Sequence, residues 1–233
     1  MRPRERIVVF TGAGVSAESG LRTFRDGDGL WEEHRLENVA TPGAWQRDPE
    51  LVLRFYDERR AHVRRAVPNA AHLAIASLQD HFEVDVVTQN IDDLHERGGS
   101  ANLIHMHGEL LKARCLDTGE AIDWREDITL QTPSPVTGNP GRLRPHVVWF
   151  GEMPLHMERV TASLQSCALF LAIGTSGLVY PAAGFVALVR DRGRAHTIEL
   201  NLEPSAVRSD FAEARHGPAG TTVPALVDEL LAL

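Results

Sequence analysis

An apolar segment that runs directly into a glycine-rich turn restricts the folds open to this chain. Residues 7–10 read IVVF, and residues 11–17 read TGAGVSA. A short apolar run of this kind predicts a buried strand. The pattern Gly12-x-Gly14-x-x-Ala17 after a strand lets backbone N–H groups approach a phosphate closely. A tight turn without a ligand fits the same residues. The segment therefore predicts an α/β fold and makes a nucleotide a candidate ligand.

Further strand-like and helical segments alternate along the chain. Apolar runs occupy residues 82–87, 169–173 and 197–200, and helical patterns include 70–78 and 181–190. This alternation predicts a doubly wound, parallel, Rossmann-like sheet. Two stretches break it. Residues 26–67 look helical, with a helix start at 48–50 and a stop at Pro68, whereas residues 111–145 are rich in Gly, Pro, Thr and Asp.

Both interruptions are interpreted as insertions that build a small second lobe. We predict a single domain over residues 1–233. Its large lobe takes residues 1–25, 68–110 and 146–233, and its small lobe takes 26–67 and 111–145. A cleft between two lobes is a favoured ligand site.

Composition excludes several classes of protein. The 233 residues are 43% hydrophobic and 24% charged, which is ordinary for a soluble globular protein. No apolar run approaches the roughly 20 residues of a membrane helix, and the N-terminus lacks a signal-peptide core. The two cysteines, Cys115 and Cys167, imply no disulfide framework. We expect a cytoplasmic protein, without membrane contact. The net charge of −8 argues against non-specific nucleic-acid binding and favours basic partners such as lysine-bearing segments.

Polar groups follow the predicted strands where ligands bind in α/β sheets. Residues 88–92 read TQNID, residues 174–176 read GTS, and residues 201–203 read NLE. No acidic residue ends a strand about 20 positions after the glycine turn, as the common dinucleotide pattern expects. Glu203 follows a later strand instead, where it could hold an adenosine ribose. Each turn alone could simply connect a strand to the next element, but together the turns favour a nucleotide site.

Six ordered segments resemble the signature motifs of the sirtuins, which are NAD-dependent protein-lysine deacylases. They are GAGVSAESGLRTFR at 12–25, TQNIDDLH at 88–95, HGEL at 107–110, VVWFGE at 147–152, GTS at 174–176 and NLE at 201–203. Residues 28–35, DGLWEEHR, make the resemblance closest to the bacterial CobB type. The resemblance spans the chain from about residue 6 to its C-terminus.

The resemblance implies that the acyl oxygen of an acyl-lysine attacks the ribose as the nicotinamide–ribose bond breaks. His107 matches the general base that deprotonates a ribose hydroxyl, a role that suits imidazole near neutral pH. The alternative is a buried structural histidine, which we favour for His105. Asn90 and Asp92 match residues that hold the nicotinamide ribose and carboxamide. Phe24 matches a ring that shields the reacting centre, although core packing is an alternative. The implied NAD contacts are Gly12, Ala13, Gly14, Ser16, Phe24, Arg25, Gln89, Asn90, Ile91, Asp92, Gly174, Thr175, Ser176, Asn201, Leu202, Glu203 and Ala219.

The apolar alternation of residues 147–152 predicts a strand. In sirtuins this segment and the one at 177–180 sandwich the substrate peptide by β-augmentation. The implied substrate contacts include Val148, Phe150, Gly151 and Glu152.

Tyr56 and Arg59 stand three residues apart in a helical stretch, so they share a helix face. A phenol beside a guanidinium can bind a carboxylate. From the residues alone, a solvated basic helix with a packed tyrosine is favoured. The Tyr-x-x-Arg pattern, however, resembles the sirtuins that remove succinyl and malonyl groups. We expect deacetylation and removal of acidic acyl groups from lysine-bearing proteins. ADP-ribosyl transfer to protein is the alternative activity, and an NAD-sensing module without turnover is a third.

Sirtuins usually carry a structural zinc held by four cysteines in the second insertion, and here the chain departs from them. Residues 111–145 contain Cys115 alone, and Thr118 stands where a Cys-x-x-Cys partner would fall. Other potential ligands are Asp117, Glu120, Asp123 and His146, but no familiar spacing links them to Cys115. We therefore predict no structural zinc and a lobe held by packing of Ile122, Trp124, Ile128 and Leu130. We expect a monomer.

Overall fold

The computed structural model describes residues 5–22, 30–31, 34–193 and 195–232. Phe24 and Arg25, predicted to contact NAD, lie outside these residues. The strands are β1 (Arg6–Thr11), β2 (Leu30–Trp31), β3 (His34–Arg35), β4 (Glu83–Thr88), β5 (Leu103–His105), β6 (Gly108–Cys115), β7 (Ala121–Asp123), β8 (Leu143–Val147), β9 (Leu169–Ile173), β10 (His196–Asn201) and β11 (Glu213–His216). The α-helices are α1 (Leu36–Val39), α2 (Pro42–Arg47), α3 (Pro49–Arg65), α4 (Ala70–Ser77), α5 (Leu94–Arg97), α6 (Met157–Ser166), α7 (Phe185–Asp191) and α8 (Ala219–Leu231).

A parallel sheet of six strands forms the large lobe, in the order β11-β10-β9-β1-β4-β5. The central strand β1 pairs with β4 and β9, and its last residue, Thr11, lies opposite both Thr88 and Ile173. The carboxyl ends of these strands are therefore level at one edge. The prediction of a doubly wound parallel sheet is confirmed.

Helices cover both faces of this sheet because successive side chains of a strand point to opposite sides. Ile7 and Val9 of β1 belong to a core that includes Ile75 of α4 and Leu226 of α8. Val8 and Phe10 belong to the opposite core, which includes residues of α6 and α7. The near-continuous apolar strands of the sequence thus match a sheet that is buried on both sides.

The small lobe combines the helices α1–α3 with an antiparallel sheet in the order β7-β6-β8. The carboxylate of Asp48 accepts a hydrogen bond from the backbone N–H of Leu51 at 2.9 Å, and Pro49 occupies the first turn of α3. Both features are typical helix-start signals, so the predicted start is correct. The helix ends at Arg65, ahead of Pro68.

The second insertion is more regular than its composition suggested. Strand β6 begins at Gly108, and β7 and β8 pair with it as an antiparallel sheet within residues 108–147. Ile128 is buried in a cluster with Cys115 and Leu143, against which Ile122 and Trp124 pack. Leu130 packs there too. The expected apolar packing is present.

The prediction of a strand over residues 147–152 is wrong. Strand β8 ends at Val147, and the segment after it turns. Gly151 has φ 91°, in the left-handed region, and the N–H of Glu152 donates to the carbonyl of Trp149 at 2.9 Å. Residues 177–180 are also irregular. Among the described residues, no helix is long and apolar enough to cross a membrane.

Candidate active site

A cavity of about 1080 Å³ opens at the edge of the sheet where the carboxyl ends of β1, β4, β9 and β10 meet. It extends between the two lobes. All of the predicted site residues that the structure describes border it. They are Gly12, Ala13, Gly14, Ser16, Tyr56, Arg59, Gln89, Asn90, Ile91, Asp92, His107, Val148, Phe150, Gly151, Glu152, Gly174, Thr175, Ser176, Asn201, Leu202, Glu203 and Ala219.

The first glycine turn packs directly on the turn that follows β9. The N–H of Gly14 donates to the carbonyl of Gly174 at 3.0 Å. A Cβ atom at Gly14 would lie 2.6 Å from the Gly174 Cα, and one at Gly12 would lie 2.7 Å from the Gly174 oxygen. Neither position has room for a side chain. The glycines are therefore required by the contact between two turns, in addition to the predicted approach of a phosphate.

Ser16 connects the polar residues of the first two motifs. Its hydroxyl donates to Asp92 Oδ2 at 3.1 Å and accepts from Asn90 Nδ2 at 3.2 Å. Asp92 Oδ1 also accepts from the N–H of Leu94 at 3.1 Å. Burial raises the pKa of Asp92 above its ordinary value. These hydrogen bonds hold Asn90 and Asp92 in place beside Ser16.

Two histidines that the sequence did not single out for the site lie beneath this cluster. His72 Nε2 lies 3.5 Å from Ser16 Oγ, and His95 Nε2 lies 3.0 Å from Thr11 Oγ1. Burial lowers the pKa of His72 to about 4 and that of His95 to about 3, so both are neutral at pH 7. The capping box from Asn69 to His72 marks the start of α4, but no local signal places either ring at the site.

His107 lies in the turn between β5 and β6 and faces the cavity. Its Nδ1 is 3.1 Å from the carbonyl oxygen of Gln89. Since a carbonyl can only accept, Nδ1 carries the proton and Nε2 holds a lone pair. Burial lowers the pKa of His107 and outweighs this hydrogen bond, which acts in the opposite direction. The side chain is therefore a neutral base near pH 7.

His105 has a different environment, although it stands only two residues earlier. Its Nε2 lies 2.6 Å from Glu96 Oε1, and its Nδ1 lies 3.2 Å from the Asn90 oxygen. Burial works to lower the pKa of His105, but the hydrogen bond to Glu96, the negative charges of Glu96 and Glu109 and the hydrogen bond to the Asn90 carbonyl together outweigh it, and the pKa is raised. It does not border the cavity. This geometry fits the structural role that we favoured for His105.

Tyr56 and Arg59 border the small-lobe end of the cavity. Tyr56 is almost fully buried, and its hydroxyl accepts a hydrogen bond from Trp149 Nε1 at 3.1 Å. The guanidinium of Arg59 lies 5.5 Å from the ring centroid of Phe55. The two side chains therefore share a helix face that points inward. The solvated-helix alternative included a packed tyrosine, but it did not anticipate the inward position of Arg59.

The residues at the expected zinc position do not fit that metal. Cys115 is buried, and its sulfur accepts a hydrogen bond from the Ser134 hydroxyl at 3.3 Å. Neutral hydroxyl groups do not replace the thiolate or imidazole ligands of a closed zinc site. Asp117 is held instead by Thr137, Asn139 and Arg142. These bonds connect the two ends of the insertion.

Comparison with known proteins agrees with this geometry. A family model described as the Sir2 family matches residues 12–181. The chain belongs to the Sir2 family. It is 56% identical, over 99% of its length and 95% of the relative's, to a protein of Vibrio cholerae serotype O1 named NAD-dependent protein deacylase. A protein of the same name from Escherichia coli strain K12 is also 56% identical, with 98% of this chain and 83% of the relative covered.

Solved Sir2 structures share the fold. A Sir2 homologue in complex with NAD superimposes with a TM-score of 0.88 at 37% identity, covering 97% of this chain and 90% of the other. A Sir2 protein solved with a deacetylated peptide and 3′-O-acetyl ADP-ribose has a TM-score of 0.83 at 25% identity, covering 96% and 92%. The sheet, the small lobe and the cleft of this chain are therefore those of a Sir2 protein.

Proposed function

We propose that this Sir2 protein is an NAD-dependent protein-lysine deacylase that removes acetyl, succinyl and malonyl groups. With NAD, acyl-lysine and water as reactants, the products are nicotinamide, O-acyl-ADP-ribose and the free lysine. The observation that carries the proposal is the position of His107. This neutral base borders the same cavity as the four polar segments that follow β1, β4, β9 and β10. The deacylase names of the relatives support it.

The cavity offers a fitting place for NAD. When bound, NAD supplies the nicotinamide–ribose bond that the reaction breaks. The N-terminal end of α8 at Ala219 and the backbone turns at 12–14 and 174–176, which line the cavity, suit phosphate groups. Asn201 and Glu203, at the end of β10, would hold the adenosine ribose. Asn90 and Asp92, held through Ser16, would hold the nicotinamide end.

His107 acts through its Nε2 atom. The Gln89 carbonyl fixes the opposite nitrogen as the donor, so the lone pair of Nε2 can accept the proton of a ribose hydroxyl. The hydroxyl oxygen would then bond to the acyl carbon, and the bond from that carbon to the lysine nitrogen would break to release the free amine.

The acyl preference is the finer part of the proposal. Tyr56 and Arg59 border the same cavity as His107, and a guanidinium beside a phenol suits a carboxylate. The acidic ends of succinyl and malonyl groups would bind there. Exposed apolar side chains at the mouth, Phe150, Leu178 and Tyr180, would contact the substrate peptide.

Several other properties belong to the same proposal. We infer a cytoplasmic monomer that needs no structural zinc and binds neither nucleic acid nor membrane. We also infer a single catalytic domain, with the two lobes divided as the sequence predicts, except that the small-lobe strands extend to Gly108 and Val147. The inward packing of the second insertion supports a metal-free small lobe.

One assay tests the activity. The protein is incubated with NAD and an acetyl-lysine or succinyl-lysine peptide, and nicotinamide and deacylated peptide are measured together. We expect equal amounts of both for each peptide. Nicotinamide release with ADP-ribose attached to protein, and no loss of the acyl group, would favour the ADP-ribosyltransferase alternative. A bound cofactor without any nicotinamide release would favour an NAD-sensing module.

A further inference from the structure

Trp149 and Tyr56 form a buried hydrogen-bonded pair at the acyl end of the cavity. The indole Nε1 donates to the Tyr56 hydroxyl oxygen at 3.1 Å, and both side chains are 2% exposed. An indole N–H can only donate. The Tyr56 oxygen therefore accepts at this contact, and its own O–H proton must point in another direction.

The flat face of the indole ring is also held in place, by Arg144. The Arg144 guanidinium carbon lies 3.4 Å from the Trp149 ring centroid, which is a cation–π contact. Arg144 binds both carboxylate oxygens of Glu152, at 2.8 and 3.0 Å, and donates to the Val147 carbonyl at 2.7 Å. Glu152 Oε2 also accepts from the backbone N–H of Trp149 at 2.8 Å. The ring thus has little freedom to turn away from Tyr56.

We propose that Trp149, held by Arg144 and Glu152, orients the Tyr56 hydroxyl as a hydrogen-bond donor to the carboxylate of an acidic acyl group. This inference rests on the proposed function, and it adds Trp149 as a residue that determines acyl specificity by positioning Tyr56. Burial keeps the Tyr56 hydroxyl protonated, since it raises the pKa of that group. The phenol is therefore a donor across the working pH range.

The same arrangement assigns Glu152 a structural task. Its carboxylate is engaged by Arg144 and by the Trp149 N–H, and these contacts lower the pKa of Glu152 although burial acts to raise it. Glu152 therefore stays ionised and keeps Arg144 over the ring. A negative charge that is paired in this way also opposes an acyl carboxylate less than an unpaired one would.

The test compares succinyl-, butyryl- and acetyl-lysine peptides of one sequence. The butyryl group follows the path of succinyl without its carboxylate. Trp149→Phe keeps an aromatic ring under Arg144 but removes the N–H. We expect the ratio of kcat/KM for succinyl over butyryl peptide to fall about 3- to 10-fold, mainly through KM, as for one lost neutral hydrogen bond.

Two controls distinguish a change in the orientation of the Tyr56 hydroxyl from a change in the shape of the cavity. Trp45 packs beside Trp149 with ring centroids 5.8 Å apart, so Trp45→Phe makes the same change at a neighbouring ring and should leave the ratio unchanged. Adding Trp149→Phe to Tyr56→Phe should produce no further loss, because both act through one hydroxyl. Equal losses on succinyl and butyryl peptides, or additive losses in the double variant, would overturn the inference.

The outcome also separates this inference from the proposed function. If Tyr56→Phe and Arg59→Met leave the succinyl-to-butyryl ratio unchanged, the acyl-carboxylate site itself is wrong. If they lower the ratio but Trp149→Phe does not, only the positioning role fails.

A further measurement needs no tryptophan variant. The indole ¹H–¹⁵N resonance of Trp149 should move when Tyr56 is replaced by Phe, and succinyl peptide should perturb it more than butyryl peptide. The same response to both peptides would contradict the inference.

Discussion

His107 and Gln89 are joined by a 3.1 Å contact between the imidazole Nδ1 and a backbone carbonyl oxygen. They lie 18 residues apart in sequence and belong to different signature motifs. The contact selects the tautomer in which Nε2 is unprotonated. A backbone carbonyl cannot be removed by a side-chain substitution, so the tautomer is set by the fold.

Replacement of His107 by Ala should lower deacylation by about 10²- to 10⁴-fold, because a positioned general base contributes that much. The fold should persist, as judged by circular dichroism and the thermal unfolding midpoint. The exposed His81, changed to Ala, serves as the control and should retain full turnover. Near-wild-type turnover of the His107 variant would show that the assigned mechanism is wrong.

Tyr56→Phe and Arg59→Met should weaken desuccinylation much more than deacetylation. A hydrogen bond to a charged group contributes roughly 1.5–3 kcal/mol, which corresponds to about 10- to 100-fold in kcat/KM. Arg54, on the exposed side of α3, provides a matched Arg→Met control. If both peptides lose activity equally, the pair supports structure and does not bind the acyl carboxylate.

Protein purified without a metal-binding tag should contain far less than one zinc per chain. The physical reason is the donor set around Cys115, which offers hydroxyl groups where a closed zinc site needs thiolate or imidazole. Elemental analysis measures the zinc directly, and unfolding curves with and without a chelator should coincide. About one zinc per chain, whose removal unfolds the protein, would refute this prediction.

Stability should decrease as the pH falls below about 6.5, in part because of His95. Burial lowers its pKa from 6.5 to about 3, so below pH 6.5 the unfolded chain binds a proton that the folded chain does not. Each such group reduces the free energy of unfolding by up to about 1.4 kcal/mol per pH unit. With respect to His95, the free energy of unfolding is highest above about pH 6.5 and declines as the pH falls to about 3.

Urea unfolding at a series of pH values measures this effect. His95→Gln should make the pH dependence between about pH 6 and 4 shallower by nearly one proton, since Gln does not titrate. The exposed His81→Gln variant should keep the wild-type slope. Identical slopes for the wild type and the His95 variant would show that His95 does not carry the predicted shift.

Local sequence signals were sufficient for much of the large lobe. The apolar run at 169–173 is the strand Leu169–Ile173 itself, and Asp48 with Pro49 marks the first turn of α3. Such features depend on the hydrophobicity and hydrogen-bonding capacity of residues close together in the chain. The ordered motifs likewise sufficed to predict the Sir2 family and the residues that border its cleft.

The same local reasoning misplaced the segment after β8. Alternating apolar residues at 147–152 predicted a strand, but the left-handed Gly151 and the buried Trp149 form a turn that is held by Arg144 and Glu152. The side chains alternate because the segment lies between the small-lobe core and the cleft. The spacing of apolar residues alone does not distinguish a strand from a turn that lies between a core and a cleft.

What the sequence determined was the element types, the family and the chemical groups available at the strand ends. What only the tertiary structure decided was which groups meet. Trp149 reaches Tyr56 across 93 residues, and His72 reaches Ser16 across 56. Such contacts depend on how helices pack on the sheet and on which face of a turn is buried. These orientations are set by the whole core, because close packing leaves each side chain few alternatives.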